Sequence, residues 1–356
     1  MIVSIVGARP QFIQAAVVSR ALAAAGLTER IVHTGQHYDD AMSAAFLREL
    51  DIRNIAAQLR CGSGSHAVQT ATMMVEIEKY LLGLPDPPQC VLVYGDTNST
   101  IAGALVAAKL HIPVAHVEAG LRSFNREMPE EINRITTDHL SSILFCSSEE
   151  GVQQLAREGI TQEVHDVGDV MLDAFEHFSR VARGRPLGPD LTCLLDAQYG
   201  LLTIHRPSNT DDDKNLDAIL AQMEQVGRTT VWPVHPRLRD RIQQHRIPSN
   251  IRLVGPQGYL SMLALLHGSE WVVTDSGGLQ KEAYWARKRC YTVRRETEWI
   301  ETLRGGWNRL FDPRNECLAT LLEQFPSTPW EQLYGDGRAS QRIAERLCRW
   351  LGQNRA

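Results

Sequence analysis

The chain has 356 residues, of which 43% are hydrophobic and 22% charged, and it carries a net charge of −5. That length suits two domains of about 150–200 residues each, and the composition does not fit a disordered chain. The lack of a basic excess argues against a nucleic-acid partner, while leaving room for an anionic small molecule held by a few arginines and a helix N-terminus.

From the N-terminus, Ile2–Val6 is a short apolar run without a basic leader, expected as a buried first strand and not a signal peptide. The alanine-rich Gln11–Ala25 follows Pro10, stops at Gly26 and predicts a helix. The cycle repeats, with strands expected at Arg30–Thr34, Cys90–Tyr94, Val114–Glu118 and Ile143–Cys146, and helices at Ala67–Leu82, Ser99–Lys109 and Glu130–Ser141. A Gly-, Pro- and Arg-rich connection, Ala182–Leu191, leads to a second set. There, strands are expected at Gly200–Ile204, Thr229–Val234, Ile251–Val254, Trp271–Thr274 and Cys290–Val293. Helices are expected between them at Lys214–Val226, Pro236–His245, Leu260–His267 and Gly278–Ala286. Apolar strands alternating with helices imply parallel sheets covered on both faces. The expected fold is therefore α/β, with two doubly wound Rossmann-like domains, residues 1–168 and 169–339, facing a central cleft. The amphipathic Ser340–Leu351, in a last helix over 340–356, is expected to pack back on the first domain. No run of about 20 apolar residues predicts a membrane span. The seven cysteines contain no CxxC pair and read as reduced, cytoplasmic usage, not a disulfide framework or a zinc site.

In doubly wound sheets, ligands sit at the carboxyl ends of strands, and several polar clusters follow the expected strands directly. Gly7-Ala8-Arg9-Pro10 turns the chain, offers Arg9 to an anion and opens a helix whose N-terminus adds positive potential. The plainer reading is a turn with a surface arginine. In Gly95-Asp96-Thr97-Asn98-Ser99-Thr100, helix capping explains one of Asp96 and Thr97, but so long a polar run exceeds what capping needs. In His116-Val117-Glu118-Ala119-Gly120-Leu121-Arg122, a glutamate ends an apolar strand, which is costly unless the group is paired or functional. A buried Glu118–Arg122 ion pair is the structural alternative. Pro129-Glu130-Glu131-Ile132-Asn133-Arg134 reads, on composition alone, as an ordinary acidic helix N-terminus. Thr203-Ile204-His205-Arg206 and His235-Pro236-Arg237 place a His and an Arg after strands of the second set.

The most specific signal is Asp275-Ser276-Gly277-Gly278-Leu279-Gln280-Lys281-Glu282. Small residues open a helix directly after a strand, so backbone N–H groups can approach a diphosphate. Glu282, one turn in, is placed to accept ribose hydroxyls. A plain glycine turn explains the segment less well, because glycine weakens helices. No GxGxxG fingerprint is present, since Gly62-Ser63-Gly64 lacks the third glycine and a preceding strand, and no GxxxxGK[ST] occurs. His33 and His37 have no HExxH context, so no metal is expected.

Taken together and in this order, GDTNST, HVEAGLR, PEEINR, IHR and DSGGLQKEA resemble the non-hydrolysing UDP-N-acetylglucosamine 2-epimerase family, over a stretch from Gly7 to about Trp307. The resemblance implies a GT-B-like fold, an active site in the interdomain cleft, a homodimer and no cofactor. It implies catalytic roles for Asp96, Glu118, Glu130 and His205, which overrides the helix-terminus reading of Glu130. It implies UDP contacts from Arg9, Gln257, Ser276, Gly277, Gly278 and Glu282, with Gln14, Arg122 and Arg206 as further binding candidates. Two positions depart from the commonest pattern. Gln14 stands where many members have lysine, and Thr297-Glu298-Trp299 stands where many have an arginine. Both remove positive charge near the nucleotide and shift the diphosphate onto Arg9 and the helix N-terminus at Gly277. GARPQFI and ETEWIE look more like the subgroup acting on UDP-2,3-diacetamido-2,3-dideoxy-glucuronate, a precursor of bacterial surface polysaccharide.

The C2 hydrogen of such a sugar is not next to a carbonyl, so a carboxylate cannot remove it by simple exchange. Without a dinucleotide fingerprint, the expected route is elimination of UDP to a 2-acetamidoglucal and re-addition with the proton delivered to the other face. That needs at least two acid/base groups around C2, for which Asp96, Glu118 and Glu130 are candidates. His205 and Arg9 are candidates to balance the departing diphosphate. A hydrolysing epimerase, a GT-B glycosyltransferase and a non-catalytic sugar-nucleotide sensor are the rival readings. Gln36 and His235 lie in segments that could serve a second, activating substrate site.

Overall fold

The computed structural model describes residues 1–35, 46–62, 64–183, 191, 198–235 and 238–353. Gln36, His37, Ser63, Pro236, Arg237 and most of the Ala182–Leu191 connection lie outside the described residues. The chain divides into two units, Met1–His177 with Tyr334–Ala356, and Phe178–Leu333.

The first unit runs β1 Ile2–Val6, α1 Arg9–Ala24, β2 Glu29–His33, β3 Ile55–Gln58, α2 His66–Leu82, β4 Cys90–Tyr94, α3 Asn98–Lys109, β5 Val114–Ala119, α4 Pro129–Leu140, β6 Ile143–Cys146, α5 Glu149–Arg157, β7 Val164–Asp166 and α6 Val170–Arg183. Its seven strands form one sheet in the order β3-β2-β1-β4-β5-β6-β7. Every pairing in it is parallel. Every residue of β1, β4 and β6 is buried, as expected of strands covered by helices on both faces. Val3, Ile5, Val91 and Val93 pack with Met73 and Ile77 of α2 and Ala102 and Val106 of α3. Removing each such aliphatic side chain from water is worth about 1.5–3 kcal/mol.

The second unit runs β8 Gly200–Thr203, α7 Pro207–Thr210, α8 Asp213–Val226, β9 Thr230–Pro233, α9 Arg239–Ile242, β10 Ile251–Val254, α10 Tyr259–Gly268, β11 Trp271–Thr274, α11 Gly277–Trp285, β12 Arg289–Thr292, β13 Asn308–Leu310 and α12 Leu318–Leu322. Its six strands are ordered β10-β9-β8-β11-β12-β13, again all parallel. Trp232 and Trp271 are fully buried among Leu202, Leu216, Ile219 and Phe311. The last helix, α13 Ala339–Gln353, belongs to the first unit and packs on α1. Asp173 caps it, accepting from the N–H groups of Ala339 at 3.0 Å and Ser340 at 2.7 Å. Its apolar stripe, Ile343, Ala344, Leu347 and Leu351, is buried.

Each unit is thus a doubly wound Rossmann-like α/β fold. In the first sheet β1 and β4 are neighbours, and the chain leaves β1 toward β2 but β4 toward β5. Their carboxyl ends flank the point where the winding reverses, the usual ligand position in such sheets. β8 and β11 stand in the same relation in the second sheet. The short strands β3, β7 and β13 and the helices α5, α6 and α12 go beyond the elements expected from the pattern, and the expected helix Pro236–His245 contracts to α9 among the described residues. Among the described residues, no helix is long and apolar enough to cross a membrane.

Candidate active site

In the first unit, the reversal point is closed by short contacts. A Cβ placed on Gly7 would lie 2.0 Å from Ser99 Oγ and 2.2 Å from Thr34 Oγ1, so only glycine lets β1 end there. The Gln11 side chain then joins the two diverging turns. Its Oε1 accepts from the N–H groups of Gly7 at 2.8 Å and Ala8 at 3.0 Å. Its Nε2 donates to the Tyr94 carbonyl at 2.7 Å and Thr97 Oγ1 at 2.9 Å. Gln11 thereby takes the capping role that Ala8, the residue before α1, cannot fill. Arg9 opens α1, is exposed, and lies 4.7 Å from the centre of the Phe46 ring.

Three acidic side chains gather at the ends of β4 and β5 and the start of α4. Glu118 has φ +72°, where the pairing of β5 with β6 shifts register between Val117 and Ala119. A non-glycine residue in this region costs about 1–3 kcal/mol and is characteristic of functional sites. Its Oε2 accepts from Gln14 Nε2 at 2.7 Å and would lie 3.4 Å from a Cβ placed on Gly95. Gln14 and Glu118 line a small recess with Phe145, Ser147, Gly168 and Asp169.

Asp96 follows β4 and receives the Arg134 guanidinium at 2.5 Å. Burial raises the pKa of Asp96 and the neighbouring Glu130 raises it further, against the pull of Arg134. Despite its own burial, Arg134 is held more basic than usual by Asp96, Glu118 and Glu131. The two glutamates of PEEINR divide their work. Glu131 is buried and accepts from the N–H groups of Ser123 at 2.7 Å and Phe124 at 3.0 Å. Those bonds hold its pKa down despite desolvation and pin the loop before α4. Glu130 is exposed. Arg122, whose side chain is only 2% exposed, pairs with Asp138 at 2.7 Å and Glu158 at 2.7 Å, in place of the Glu118–Arg122 ion pair.

In the second unit, the polar group again sits at the reversal point, after β8 and β11. Asp275 is fully buried and faces inward. It accepts from the backbone N–H groups of His205 at 3.0 Å and Arg206 at 2.9 Å and from Asn209 at 3.0 Å. His205 Nδ1 lies 3.0 Å from the same carboxylate. Against burial, these contacts, the His205 ring first, hold Asp275 below the usual carboxylate range. Asp275 therefore builds the His205–Arg206 turn and fixes the His205 ring by Nδ1.

Ser276 caps α11, its hydroxyl accepting from the Leu279 N–H at 3.4 Å. A Cβ on Gly278 would meet nothing within 4 Å, while one on Gly277 would lie 2.8 Å from Glu298 Oε1. Glu298 pairs with Arg294 at 2.7 Å. Arg294, with Arg206 adding, keeps the Glu298 carboxylate below its usual pKa despite burial. Glu282 is buried on α11. Gln257 lies in the β10–α10 loop and donates to the Gly255 carbonyl at 2.8 Å. The cation expected to be lost at Trp299 has a counterpart on another element. Buried Lys281 of α11 has its ammonium 3.7 Å from the centre of the Trp299 ring and 5.6 Å from that of Trp285.

A family model described as UDP-N-acetylglucosamine 2-epimerase matches residues 20–348. The chain belongs to the UDP-N-acetylglucosamine 2-epimerase family. The resemblance carried by its motifs is borne out, and the protein is an isomerase of that family. It is 44% identical, over 98% of its own length and 99% of the relative's, to a UDP-2,3-diacetamido-2,3-dideoxy-D-glucuronate 2-epimerase of Pseudomonas aeruginosa. It is 43% identical, over 97% and 99%, to a UDP-N-acetylglucosamine 2-epimerase homolog of Methanococcus maripaludis. The fold matches the crystal structure of Methanocaldococcus jannaschii UDP-GlcNAc 2-epimerase in complex with UDP-GlcNAc and UDP. That match has a TM-score of 0.86 and 38% identity, covering 98% of this chain and 100% of that one.

Against this 2-epimerase framework, the structure assembles Asp96, Glu118 and Glu130 with Gln14 in the first unit, and His205 and Arg206 with the α11 N-terminus in the second. Sequence reasoning assigned no role to Gln11, Arg134, Asp138, Lys281, Arg294 or Glu298. Arg134 and Asp138 carry a readable signal, since with Glu130 they recur at spacings of four on one helix face. Gln11 carries none, because the acceptors of its Nε2, at Tyr94 and Thr97, lie far away in sequence.

Proposed function

We propose that this protein interconverts UDP-N-acetylglucosamine and its C2 epimer, UDP-N-acetylmannosamine, without releasing the sugar, to supply precursors for bacterial surface polysaccharide. The observation that carries this reading is the gathering of Asp96, Glu118 and Glu130 at the ends of β4 and β5 and the start of α4, with half-buried Arg134 paired to Asp96 and acting on Glu118, in a chain of this family. A carboxylate takes the C2 proton as the C1–O bond to UDP breaks, leaving a C1–C2 double bond in the sugar and UDP as the anionic leaving group. UDP then re-adds at C1 while a second acid delivers a proton to the other face of C2. Asp96, whose surroundings favour its protonated form, suits proton delivery. Glu118, hydrogen-bonded to the neutral amide of Gln14, suits proton removal.

UDP is held by the N–H groups that open α11 at Gly277 and Gly278, with Glu282 toward the ribose. His205, Arg206 and Arg9 balance the charge of the diphosphate as it leaves. Arg122 and Gln14 act indirectly, through the ends of β5 and Glu118. The protein works in the cytoplasm as a homodimer and needs no cofactor.

A second substrate reading is favoured by the Pseudomonas aeruginosa relative, in which the sugar carries two acetamido groups and a carboxylate. Assaying the purified protein with both UDP-sugars decides between them. Turnover of UDP-N-acetylglucosamine supports the first, exclusive turnover of the diacetamido-glucuronate supports the second, and transfer of sugar to an acceptor without C2 inversion contradicts both.

A further inference from the structure

We propose that Asp138 is a positioning residue for the proton transfer at Glu118, clamping β5 on both sides of that left-handed residue. The inference rests on the reading of Glu118 as catalytic.

Asp138 is fully buried near the end of α4. Its Oδ1 lies 2.7 Å from His116 Nδ1. Its Oδ2 accepts from the Gly120 N–H at 3.2 Å and lies 2.7 Å from Arg122. His116 and Gly120 are the residues two before and two after Glu118. One carboxylate therefore ties together the two ends of the five-residue stretch whose middle sits at φ +72°. Strained backbone of this kind persists only where its surroundings over-determine it, and the clamp is such a constraint.

The same group reaches the residue before Asp96 through the ring of His116, whose Nε2 lies 2.8 Å from the Gly95 carbonyl. A carbonyl can only accept, so Nε2 carries a proton. His116 and Arg122, in spite of burial, hold Asp138 below the usual carboxylate range. Arg122 pairs with both Asp138 and Glu158 inside the unit, where an unpaired charge is costly. One turn earlier on the same helix, Asn133 donates to the Asp96 carbonyl at 2.8 Å and Arg134 meets the Asp96 carboxylate. Helix α4 thus holds the backbone beside both proposed acid/base groups.

Asp138→Asn keeps the shape but turns one acceptor into a donor, leaving at least one of the three donors unmatched. The test compares wild type, Asp138→Asn, Glu118→Gln and the double variant for kcat, KM with UDP-N-acetylglucosamine or the diacetamido-glucuronate, whichever wild type turns over, and thermal midpoint. Asp138→Asn is expected to lower kcat by about 10–10²-fold through misplacement of the carboxylate, with KM changed by less than about threefold. In the Glu118→Gln background the same change is expected to cost less than about threefold more, because the group it positions is gone. A kcat within about twofold of wild type, or losses that multiply in the double variant, overturns the inference. If Asp138→Asn does not fold, His116→Gln is judged by the same criteria. A wild-type protein that inverts C2 of neither sugar sinks the catalytic reading itself, whereas an active wild type with an unaffected variant sinks only the clamp.

Discussion

Asp96 pays for its role in stability. Its surroundings raise its pKa above the usual 3.8, so the folded state holds the proton longer than the unfolded chain does. For a carboxyl group shifted this way, the native state is favoured below the unfolded value, and that advantage is lost as pH rises through the folded value. Wherever it is ionised, Asp96 is then a burden on the fold. Asp96→Asn is expected to lower turnover at least about 10²-fold, yet to leave the thermal midpoint at pH 7 equal to or above that of wild type. The gap should close below 3.8, where both states are protonated. A lower midpoint at neutral pH would show that the Arg134 pair outweighs burial. Gln14 makes the complementary point, because it gives Glu118 a hydrogen bond without a charge. Gln14→Lys should favour the ionised carboxylate and move the acid limb of the kcat–pH profile down by about 1 unit or more. An unmoved limb would remove Glu118 from the proton transfers.

At the scale of elements, α11 and α4 show what a sequence can and cannot announce. The Gly277-Gly278 opening of α11 is legible, because glycine there has no local benefit. The structure adds that Gly278 faces open space on the protein side, so packing does not require it. Gly278→Ala should therefore keep or raise the thermal midpoint, alanine being favoured in helices by about 1 kcal/mol. The same change should weaken UDP binding in calorimetry at least about tenfold by filling the approach to the N–H groups. Unchanged affinity would separate α11 from the nucleotide. Two features of this element were not legible. Lys281 restores a cation beside Trp299, but from a different element, and Asp275 turns inward to hold His205 instead of facing a ligand. On α4, Glu130 is visible in PEEINR, whereas the roles of Arg134 and Asp138 appear only once β4 and β5 lie beside the helix.

For the whole molecule, the alternation of apolar runs with helical segments was enough to define two doubly wound units. The fully buried strands β1, β4 and β11 are legible to the residue, because both faces are covered and the runs are unbroken. The strands β3, β7 and β13 are only partly buried, so their sequences lack the fully apolar run of the central strands. In both units the chemistry-bearing residues lie at or beside the point where the winding reverses, the position that the sheet order dictates and that no local motif reveals. The central claim is that C2 is inverted by elimination and re-addition of UDP. The most direct test incubates the protein with UDP-N-acetylglucosamine, and in parallel with the diacetamido-glucuronate, in deuterated water and follows the products by NMR. Deuterium at C2 of a UDP-linked epimer is the expected result, and an epimer with an unlabelled C2, or free sugar and UDP as the main products, would contradict it.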